Sequence, residues 1–337
     1  MKIVILGAGS IGCYLGGILL HAGQDVSFIG RAHYKARLTQ NGLRLTHFTR
    51  EPIQIVAGDI DYHIDAKILE TADIVALCTK SQDTKTAAQQ IRTYCKANTL
   101  IISFQNGVGN ADTLKTNLSS DKTILRAIVP FNVTPAAKDV LHCGTDGALV
   151  IEASHDARLT QLKIAFETAG QAVTLSENII GDQWAKMIVN LNNGLNVLSG
   201  GTLRGGLLQR DYRRALALVV SEALSVAKAN NIRVGTFNGR RPEVLLKVLA
   251  LPNFAYRVVM QFIVKIDVKA RSSMLDDLEA GRASEIYYLQ GEILRHAKLV
   301  HMDAPYNETI LKAVLQAFEA RNSPRLLGSD ILKMLKI

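Results

Sequence analysis

One stretch of the chain carries an amine and two amide side chains at helical spacing. Lys186, Asn190 and Asn193 are separated by four and three residues, which places them on one face of a helix predicted over residues 182–196, with Asp182 as its N-cap. Apolar side chains surround this polar stripe, and unpaired polar groups are costly to bury. An exposed structural face would carry more charges than amides. We therefore interpret the stripe as a functional site, with an exposed structural face as the alternative.

A glycine-rich turn near the N-terminus indicates a second site. Gly7, Gly9 and Gly12 form a G-x-G-x-x-G motif after a short apolar run at residues 3–6. In a dinucleotide site, the first glycine permits the tight turn and the second admits the pyrophosphate. The third lets the following helix pack closely on the strand. Glycine-rich turns are common, so the motif gains its meaning from the strand before it and the helix after it.

The flanking residues specify the expected ligand further. The backbone N–H groups of Ser10 and Ile11 lie at the positive end of the predicted helix, where they would bind the pyrophosphate. A second strand at residues 25–29 ends in Arg31 rather than in the acidic residue typical of NAD sites. Arginine pairs well with a phosphate, so the sequence favours NADPH/NADP⁺. The alternative is a solvated basic loop.

Composition excludes several classes of protein. The chain has 337 residues, 48% of them hydrophobic, and a formal net charge of +9, enough for a large core and two domains. No lysine or arginine run indicates nucleic-acid binding, and the N-terminal apolar run is too short for a membrane span. The four cysteines are scattered, without the spacing of metal ligands, and predict a cytoplasmic protein without a metal site.

The N-terminal half alternates between predicted strands and helices. Unbroken apolar runs predict buried parallel strands at residues 74–78 and 99–103. Lys80 and Asn106 follow these two strands, and ligands of open parallel sheets lie beyond the carboxyl ends of strands. Lys80 is therefore a candidate for binding an anion, and Asn106 for binding cofactor or substrate. A solvated lysine and an Asx-turn are the structural alternatives. The other predicted elements are a short β pair (43–45 and 53–56), a helix (84–95) and strands at 125–129, 148–152 and 173–175.

The second half has a helical pattern throughout. We expect an α/β fold with a Rossmann-type, NADP-binding domain at residues 1–178 and an all-α substrate domain at residues 179–337. Ser273 lies at a helix start, where it can close a capping box or bind a carboxylate. Glu285 also lies near a helix start, where a favourable dipole interaction is the structural alternative. Apolar stretches at 215–220 and 254–264 are core or dimer surface, and a homodimer is the preferred assembly.

Taken in order, these motifs resemble the ketopantoate reductase family, whose members reduce 2-dehydropantoate to pantoate with NADPH in pantothenate biosynthesis. The resemblance covers nearly the whole chain and implies an active site in the cleft between a Rossmann-type and a helical domain. The segments that carry it are Gly7-Ala8-Gly9-Ser10-Ile11-Gly12, Lys80, Gln105-Asn106-Gly107-Val108-Gly109, Trp184-x-Lys186-x-x-x-Asn190, Ser272-Ser273-Met274-x-x-Asp277 and Glu285-Ile286.

The resemblance also implies a role for each matched residue. Lys186 would be the general acid that protonates the ketone oxygen, with Asn190 orienting the substrate or the lysine. Glu285 would hold the substrate hydroxyl or pair with Lys186, and it is also expected at the cofactor. Ser273 would bind the substrate carboxylate. The remaining cofactor contacts would come from the glycine-rich turn, from Arg31 at the 2′-phosphate, and from Lys80 and Asn106, the last bridging cofactor and substrate.

Three departures from the family pattern concern the substrate more than the cofactor. Many members carry a second asparagine eight residues after the lysine, where this chain has Gly194; Asn193 can replace it only if the helix shifts or tightens. The segment 129–133 is unusual, and an extra helical piece is expected around 241–268. The alternatives are therefore an NADP-dependent reductase of a different 2-keto acid, in which Gly194 reshapes the pocket, or a non-catalytic NADP-binding sensor.

Overall fold

The chain divides into two compact units, Met1–Ile179 and Ile180–Ile337. The structure, a computed structural model, describes residues 1–137, 139–263 and 270–335. The first unit alternates strands and helices around a largely parallel sheet, and the second is helical. The predicted fold class, α/β with a helical C-terminal region, is confirmed.

The first unit follows the predicted β-α-β alternation. Its strands are β1 (Lys2–Leu6), β2 (Asp25–Ile29), β3 (Leu43–His47), β4 (Ile53–Ile55), β5 (Asp61–His63), β6 (Ile74–Leu77), β7 (Leu100–Ser103), β8 (Ile124–Ile128), β9 (Val133–Ala137), β10 (Val140–Cys143), β11 (Leu149–Glu152) and β12 (Val173–Ser176). Its helices are α1 (Ser10–His21), α2 (Ala32–Asn41), α3 (Thr84–Tyr94), α4 (Asn110–Asn117) and α5 (Ala157–Thr168).

The larger sheet of the described residues has the strand order β12-β11-β8-β7-β6-β1-β2-β5. All its pairs are parallel except β8 with β11. The chain runs from β1 outward to β2 and β5, then returns to the other side of β1 to form β6. This reversal creates a topological switch point between β1 and β6, the position at which open α/β sheets bind ligands.

Strand β1 is buried on both faces because its side chains alternate across the sheet. Ile3 and Ile5 belong to one apolar cluster with α1 and β2, whereas Val4 and Leu6 belong to the cluster formed with α3 and α4. These four side chains are at most 2% exposed. Burial on both faces explains the unbroken apolar run in the sequence and fixes the strand that leads into the glycine-rich turn.

A second, smaller sheet packs on α1. It has the order β4-β3-β10-β9, so it contains the predicted β3–β4 pair and adds two strands that the sequence did not predict. A Cβ atom on Gly17 of α1 would lie 2.9 Å from Cδ1 of Leu45 on β3, which shows how closely helix and sheet approach. The unusual segment 129–133 leads into β9, and Phe131 packs edge-on against Tyr14 of α1.

The second unit is built from helices, one of which begins at its boundary. They are α6 (Ile179–Asn190), α7 (Asn192–Ser199), α8 (Leu203–Leu208), α9 (Arg210–Ala229), α10 (Pro242–Leu249), α11 (Asn253–Ile263), α12 (Ser273–Glu279), α13 (Gln290–Leu299), α14 (Pro305–Glu319) and α15 (Gly328–Leu335). The extra helical piece predicted around 241–268 corresponds to α10 and α11, and its residues 264–268 lie outside the described residues. In the described part of the chain, no helix is long and apolar enough to cross a bilayer.

Candidate functional site

The glycine-rich turn connects three strand ends of the first unit. The N–H groups of Gly7 and Ala8 donate hydrogen bonds of 3.0 and 2.9 Å to the carbonyl of Ile29, the last residue of β2. Gly7 has φ +105°, and a Cβ atom there would lie 2.6 Å from the backbone nitrogen of Thr79, just beyond β6. Only glycine meets both requirements, so the turn sits tightly at the switch point.

The other two glycines of the motif differ in their surroundings. A Cβ atom on Gly12 would collide with the carbonyl oxygen of Gly7 and lie 2.9 Å from Cγ2 of Ile5, so this position needs glycine for packing. A Cβ atom on Gly9 would have nothing within 4 Å. Helix α1 starts directly after Gly9, and the first N–H groups of any α-helix, here those of Ser10 and Ile11, lack intrahelical partners. The open space at Gly9 therefore fits a bound pyrophosphate.

Arg31 lies where the sequence predicts a 2′-phosphate contact. It precedes α2 directly after β2, and its side chain is exposed. Its backbone is held because the Tyr62 hydroxyl donates a 3.2 Å hydrogen bond to the Arg31 carbonyl, and burial raises the pKa of that hydroxyl, which keeps it a donor. The guanidinium of Arg37, on the next turn, pairs with Asp139 at 3.1 Å. Arg37 is thus engaged within the fold, whereas the Arg31 side chain is accessible to a ligand.

Lys80 and Asn106 lie beyond neighbouring strands, β6 and β7, and a shared hydrogen-bond network holds their backbones. The Ser81 hydroxyl donates to the Asn106 carbonyl at 2.9 Å. The amide nitrogen of Asn110 donates to the same carbonyl at 2.5 Å and to the Ser81 hydroxyl at 3.1 Å. The structure therefore brings these two predicted cofactor residues to one edge of the sheet.

Gln105 is the centre of that network. In the sequence it belongs to a segment that carries the family resemblance, but no role was predicted for it. Its amide nitrogen donates to the Thr84 hydroxyl at 2.9 Å and to the carbonyl and hydroxyl oxygens of Thr79, both at 3.2 Å. Its amide oxygen accepts from the Ser103 hydroxyl at 3.0 Å. Gln105 is only 6% exposed, so these bonds form in a poorly solvated interior. It thereby fixes the end of β6 relative to the end of β7. The sequence signals for it are its place in that segment and its position beside the predicted Asn106.

The predicted catalytic helix is interrupted. It begins at Ile179 rather than at Asp182, whose side chain instead accepts a 2.9 Å hydrogen bond from the Thr236 backbone. It ends at Asn190, and α7 starts at Asn192. At the break, the Leu191 N–H donates to both the Met187 and Ile188 carbonyls, at 3.0 and 3.3 Å. The second bond spans three residues and tightens the turn. The expectation of one continuous helix over 182–196 was therefore wrong.

Lys186 and Glu285 come together in the second unit. Lys186 is partly buried on α6, two residues from the fully buried Trp184. Burial lowers the pKa of Lys186 to about 8, and the Glu285 carboxylate acts against that lowering. Glu285 lies directly before a 3₁₀ turn at Ile286–Tyr288, where the sequence predicted the start of a helix. An ammonium that releases its proton near neutral pH, facing a carboxylate, is suited to proton transfer.

The amide residues of the predicted stripe lie on both sides of the break. Asn190 ends α6, Asn193 is in the first turn of α7, and both are partly buried. Asn192, which the sequence did not single out, accepts a 2.8 Å hydrogen bond from the Tyr212 hydroxyl. Gly194 is buried, and a Cβ atom there would lie 2.8 Å from Cγ2 of Ile310 and 2.9 Å from Nε2 of Gln290. Gly194 is therefore a packing position against α13 and α14, and the alternative in which it reshapes the substrate pocket stays a prediction.

The two serines at the start of α12 have different roles. Ser272 is 3% exposed, and its hydroxyl accepts from the Leu275 N–H at 3.2 Å, so it is the N-cap. Its own N–H donates to Asn196 of α7 at 3.0 Å. The expected capping box on Ser273 was wrong by one residue. Ser273 is exposed in the first turn, where its hydroxyl is accessible to a ligand. Among the described residues, no group of three histidine, cysteine or acidic side chains could hold a metal ion.

A parallel sheet with a glycine-rich turn at its switch point, followed by a helical unit with a lysine and carboxylate pair, defines a Rossmann-type oxidoreductase. Comparison with known proteins agrees with this class. Residues 3–155 match the family model "Ketopantoate reductase PanE/ApbA", and residues 178–317 match "Ketopantoate reductase PanE/ApbA C terminal". The chain therefore belongs to the ketopantoate reductase family, which confirms the resemblance seen in the sequence.

Individual relatives support the same assignment along nearly the whole chain. The chain is 30% identical over 332 residues to the 2-dehydropantoate 2-reductase of Pyrococcus horikoshii, covering 95% of this chain and 98% of that relative. A PanE/ApbA family ketopantoate reductase from Ralstonia eutropha JMP134 superposes with a TM-score of 0.80 at 29% identity, covering 95% and 99%. A D-mandelate dehydrogenase bound to NADH and anilino(oxo)acetate shares the fold, with a TM-score of 0.78 at 20% identity, covering 95% and 99%.

Proposed function

We propose that this chain reduces 2-dehydropantoate to pantoate with NADPH, using Lys186 as the general acid. The observation that carries the proposal is the Lys186–Glu285 pair, in which burial lowers the pKa of the lysine to about 8. Such a group is charged at neutral pH and still gives up its proton readily. Membership of the ketopantoate reductase family supplies the substrate class.

The residues of the first unit fit a nicotinamide dinucleotide. The space around Gly9, the N–H groups of Ser10 and Ile11, and the turns at Gly7 and Gly12 suit its pyrophosphate. Arg31 would bind the 2′-phosphate that distinguishes NADPH from NADH. Lys80 and Asn106 would bind the cofactor beyond the strand ends, and Asn106 would also contact the substrate. Glu285 is a further proposed cofactor contact. When bound, the reduced nicotinamide supplies a hydride to the keto carbon.

The residues of the second unit would orient the keto acid and move the proton. Lys186 Nζ would donate its proton to the ketone oxygen, and its positive charge would stabilise the developing alkoxide. Asn190 and Asn193 would hold the substrate by their amide groups. Glu285 would accept a hydrogen bond from the substrate hydroxyl or from Lys186. Ser273 would bind the carboxylate that all 2-keto acids share.

The first experiment is to follow NADPH absorbance with 2-dehydropantoate, in parallel with pyruvate and 2-ketoisovalerate. Fast oxidation with 2-dehydropantoate alone would support the proposal. Turnover of another keto acid would instead support the second candidate, a reductase of different specificity. Tight NADPH binding without turnover on any keto acid would favour the third, a non-catalytic sensor. The Lys186–Glu285 pair argues against the sensor, because binding a cofactor requires no proton donor.

Replacement of the lysine tests its role directly. We expect Lys186→Ala to lower kcat by about 100-fold, the scale on which losing a general acid acts, while the Kd for NADPH stays nearly unchanged. Lys228→Ala is the matched control, since this exposed lysine on α9 carries the same charge in the same unit. Equal kcat values for the Lys186 variant and the unmodified enzyme would remove Lys186 from the mechanism.

The setting of the reaction follows from the same proposal. All four cysteines are free, as expected in the reducing cytoplasm, where pantothenate biosynthesis would use the enzyme. A homodimer is the proposed assembly. Sedimentation of the purified protein at several concentrations measures the assembly directly.

A further inference from the structure

The break between α6 and α7 separates the side chains proposed to act on the keto acid. Lys186 and Asn190 lie before it, and Asn193 follows it. Leu191 joins the two helices with φ −57° and ψ −23°, a helical conformation, and makes no side-chain cap. The geometry at Leu191 therefore sets where Asn193 lies relative to Lys186 and Asn190.

Gln290 holds this junction from another element. It is the first residue of α13, five residues after Glu285, and it is 0% exposed. Its amide nitrogen donates a 2.9 Å hydrogen bond to the Leu191 carbonyl. Its amide oxygen has no hydrogen-bond partner among the described residues, and a buried acceptor without a partner destabilises a fold. A residue kept only for stability would avoid that penalty, for example as leucine or methionine.

Gly194 provides the space that Gln290 occupies. A Cβ atom at position 194 would lie 2.9 Å from Nε2 of Gln290, the atom that donates to Leu191. Any side chain at 194 would therefore displace the glutamine amide or the neighbouring Ile310. The glycine at position 194, where this chain departs from the family pattern, thus leaves the space that the buried amide of Gln290 needs.

We propose that Gln290 is a positioning residue for the keto-acid site, fixing the Leu191 carbonyl and with it the placement of Asn193 relative to Lys186 and Asn190. The buried Gln290 amide on α13 orients the Leu191 carbonyl, and a side chain at position 194 would displace that amide. The inference rests on the proposed function, because it assumes that the asparagines bind the keto acid.

The test compares Gln290→Met, which keeps the length of the side chain but removes the donor, with Gly194→Ala, which displaces the donor. Both variants should lower kcat/KM for the keto acid by about tenfold or more, since displacing binding groups by an ångström has effects of this size. Part of the loss should appear in KM, while the Kd for NADPH stays unchanged. The double variant should lose less than the product of the two single effects, because both remove the same contact.

Gln171→Met is the matched control for a loss that is merely structural. Gln171 is 1% exposed in the first unit, and its amide donates to the carbonyls of Gly147 and Ala172 at 3.0 and 3.1 Å. We expect this variant to lower Tm without changing KM for the keto acid. If Gln290→Met behaves in the same way, losing Tm but keeping KM and kcat, the proposal is overturned.

Hydrogen exchange of the backbone amides at residues 191–195 separates this proposal from the assignment of the substrate. Gln290→Met should accelerate exchange there, and Gln171→Met should not. If the unmodified enzyme reduces no keto acid, the proposed function fails, whereas faster exchange in Gln290→Met would still support the role of Gln290 at the junction. Unchanged exchange in that variant would overturn the role of Gln290, whatever substrate the enzyme uses.

Discussion

At the level of single residues, the proposed choice of NADPH over NADH depends on Arg31. Its side chain is exposed directly after β2, while Arg37 nearby pairs with Asp139. A guanidinium binds a phosphate with paired hydrogen bonds as well as with charge, so the contact should matter only for the cofactor that has the 2′-phosphate.

We therefore expect Arg31→Ala to raise KM for NADPH by about tenfold or more, the scale of one charge-assisted contact, and to leave KM for NADH nearly unchanged. Initial rates measured with both cofactors provide the comparison. Arg44→Ala is the control for net charge, because Arg44 is an exposed arginine on β3 of the same unit. Equal weakening of both cofactors by Arg31→Ala would contradict the assignment.

Single residues also differ in whether their roles could be predicted from the sequence. Lys186 and Glu285 were recognisable because their residue types and order carry chemistry, and the structure brings them together. The positioning roles of Gln105 and Gln290 were not recognisable, since a glutamine indicates such a role only when its buried partners are known. Ser272 and Ser273 are adjacent, and only the hydrogen bond to Leu275 decides which of them caps the helix.

At the level of elements, the turn from β1 into α1 separates the requirements of folding from those of binding. Gly12 has no room for a side chain, because a Cβ atom would collide with the Gly7 carbonyl. Gly9 has open space and φ −87°, ψ −164°, a conformation that alanine adopts without strain. Gly12 is thus required for packing, whereas Gly9 leaves space for the proposed cofactor.

The pair Gly9→Ala and Gly12→Ala tests this separation. We expect Gly9→Ala to keep its Tm and to weaken NADPH binding, because the added methyl group occupies the space proposed for the pyrophosphate. Gly12→Ala should lower the free energy of unfolding by about 1–3 kcal/mol, the usual effect of overpacking a core. Thermal unfolding and NADPH titration of both variants provide the measurement. A large loss of Tm in Gly9→Ala would contradict the open geometry at this position.

Elements of the fold differ in how far the sequence predicts them. Strands β1, β6 and β7 were predicted because burial on both faces leaves an unbroken apolar run. Strands β9 and β10 were missed, since they are short and β9 is largely exposed, which leaves little apolar pattern. The break at Leu191 was missed for a different reason. The apolar spacing continues through it, and it becomes visible only in the hydrogen bonds that the Leu191 N–H donates and that the Leu191 carbonyl accepts from Gln290.

At the level of the whole molecule, the buried ammonium of Lys186 that is proposed to act in catalysis should lower the free energy of unfolding. Burial lowers its pKa to about 8 from an ordinary value of 10.5, so in the folded state desolvation outweighs the attraction of Glu285. The ammonium form is thus less stable in the folded than in the unfolded chain. Below pH 8 both states are protonated and the full penalty applies. Between pH 8 and 10.5 the unfolded chain holds the proton that the folded chain has released, so the penalty declines as pH rises.

Lys186→Met should consequently increase the free energy of unfolding at pH 7, because methionine fills a buried site without a charge to desolvate. Like Lys186→Ala, it should lower kcat by about 100-fold. Its advantage over the unmodified enzyme should shrink as the pH rises from 8 to 10.5. Denaturant unfolding of both proteins at pH 7 and pH 10 measures the change, and taking the difference cancels the titration of all other groups. Lys228→Met is the control, since it makes the same replacement at an exposed lysine of the same unit. If the free energies of unfolding of Lys186→Met and the unmodified enzyme differ by the same amount at both pH values, Lys186 ionises as it does in the unfolded chain. Its proposed use as an acid near neutral pH would then lack its physical basis.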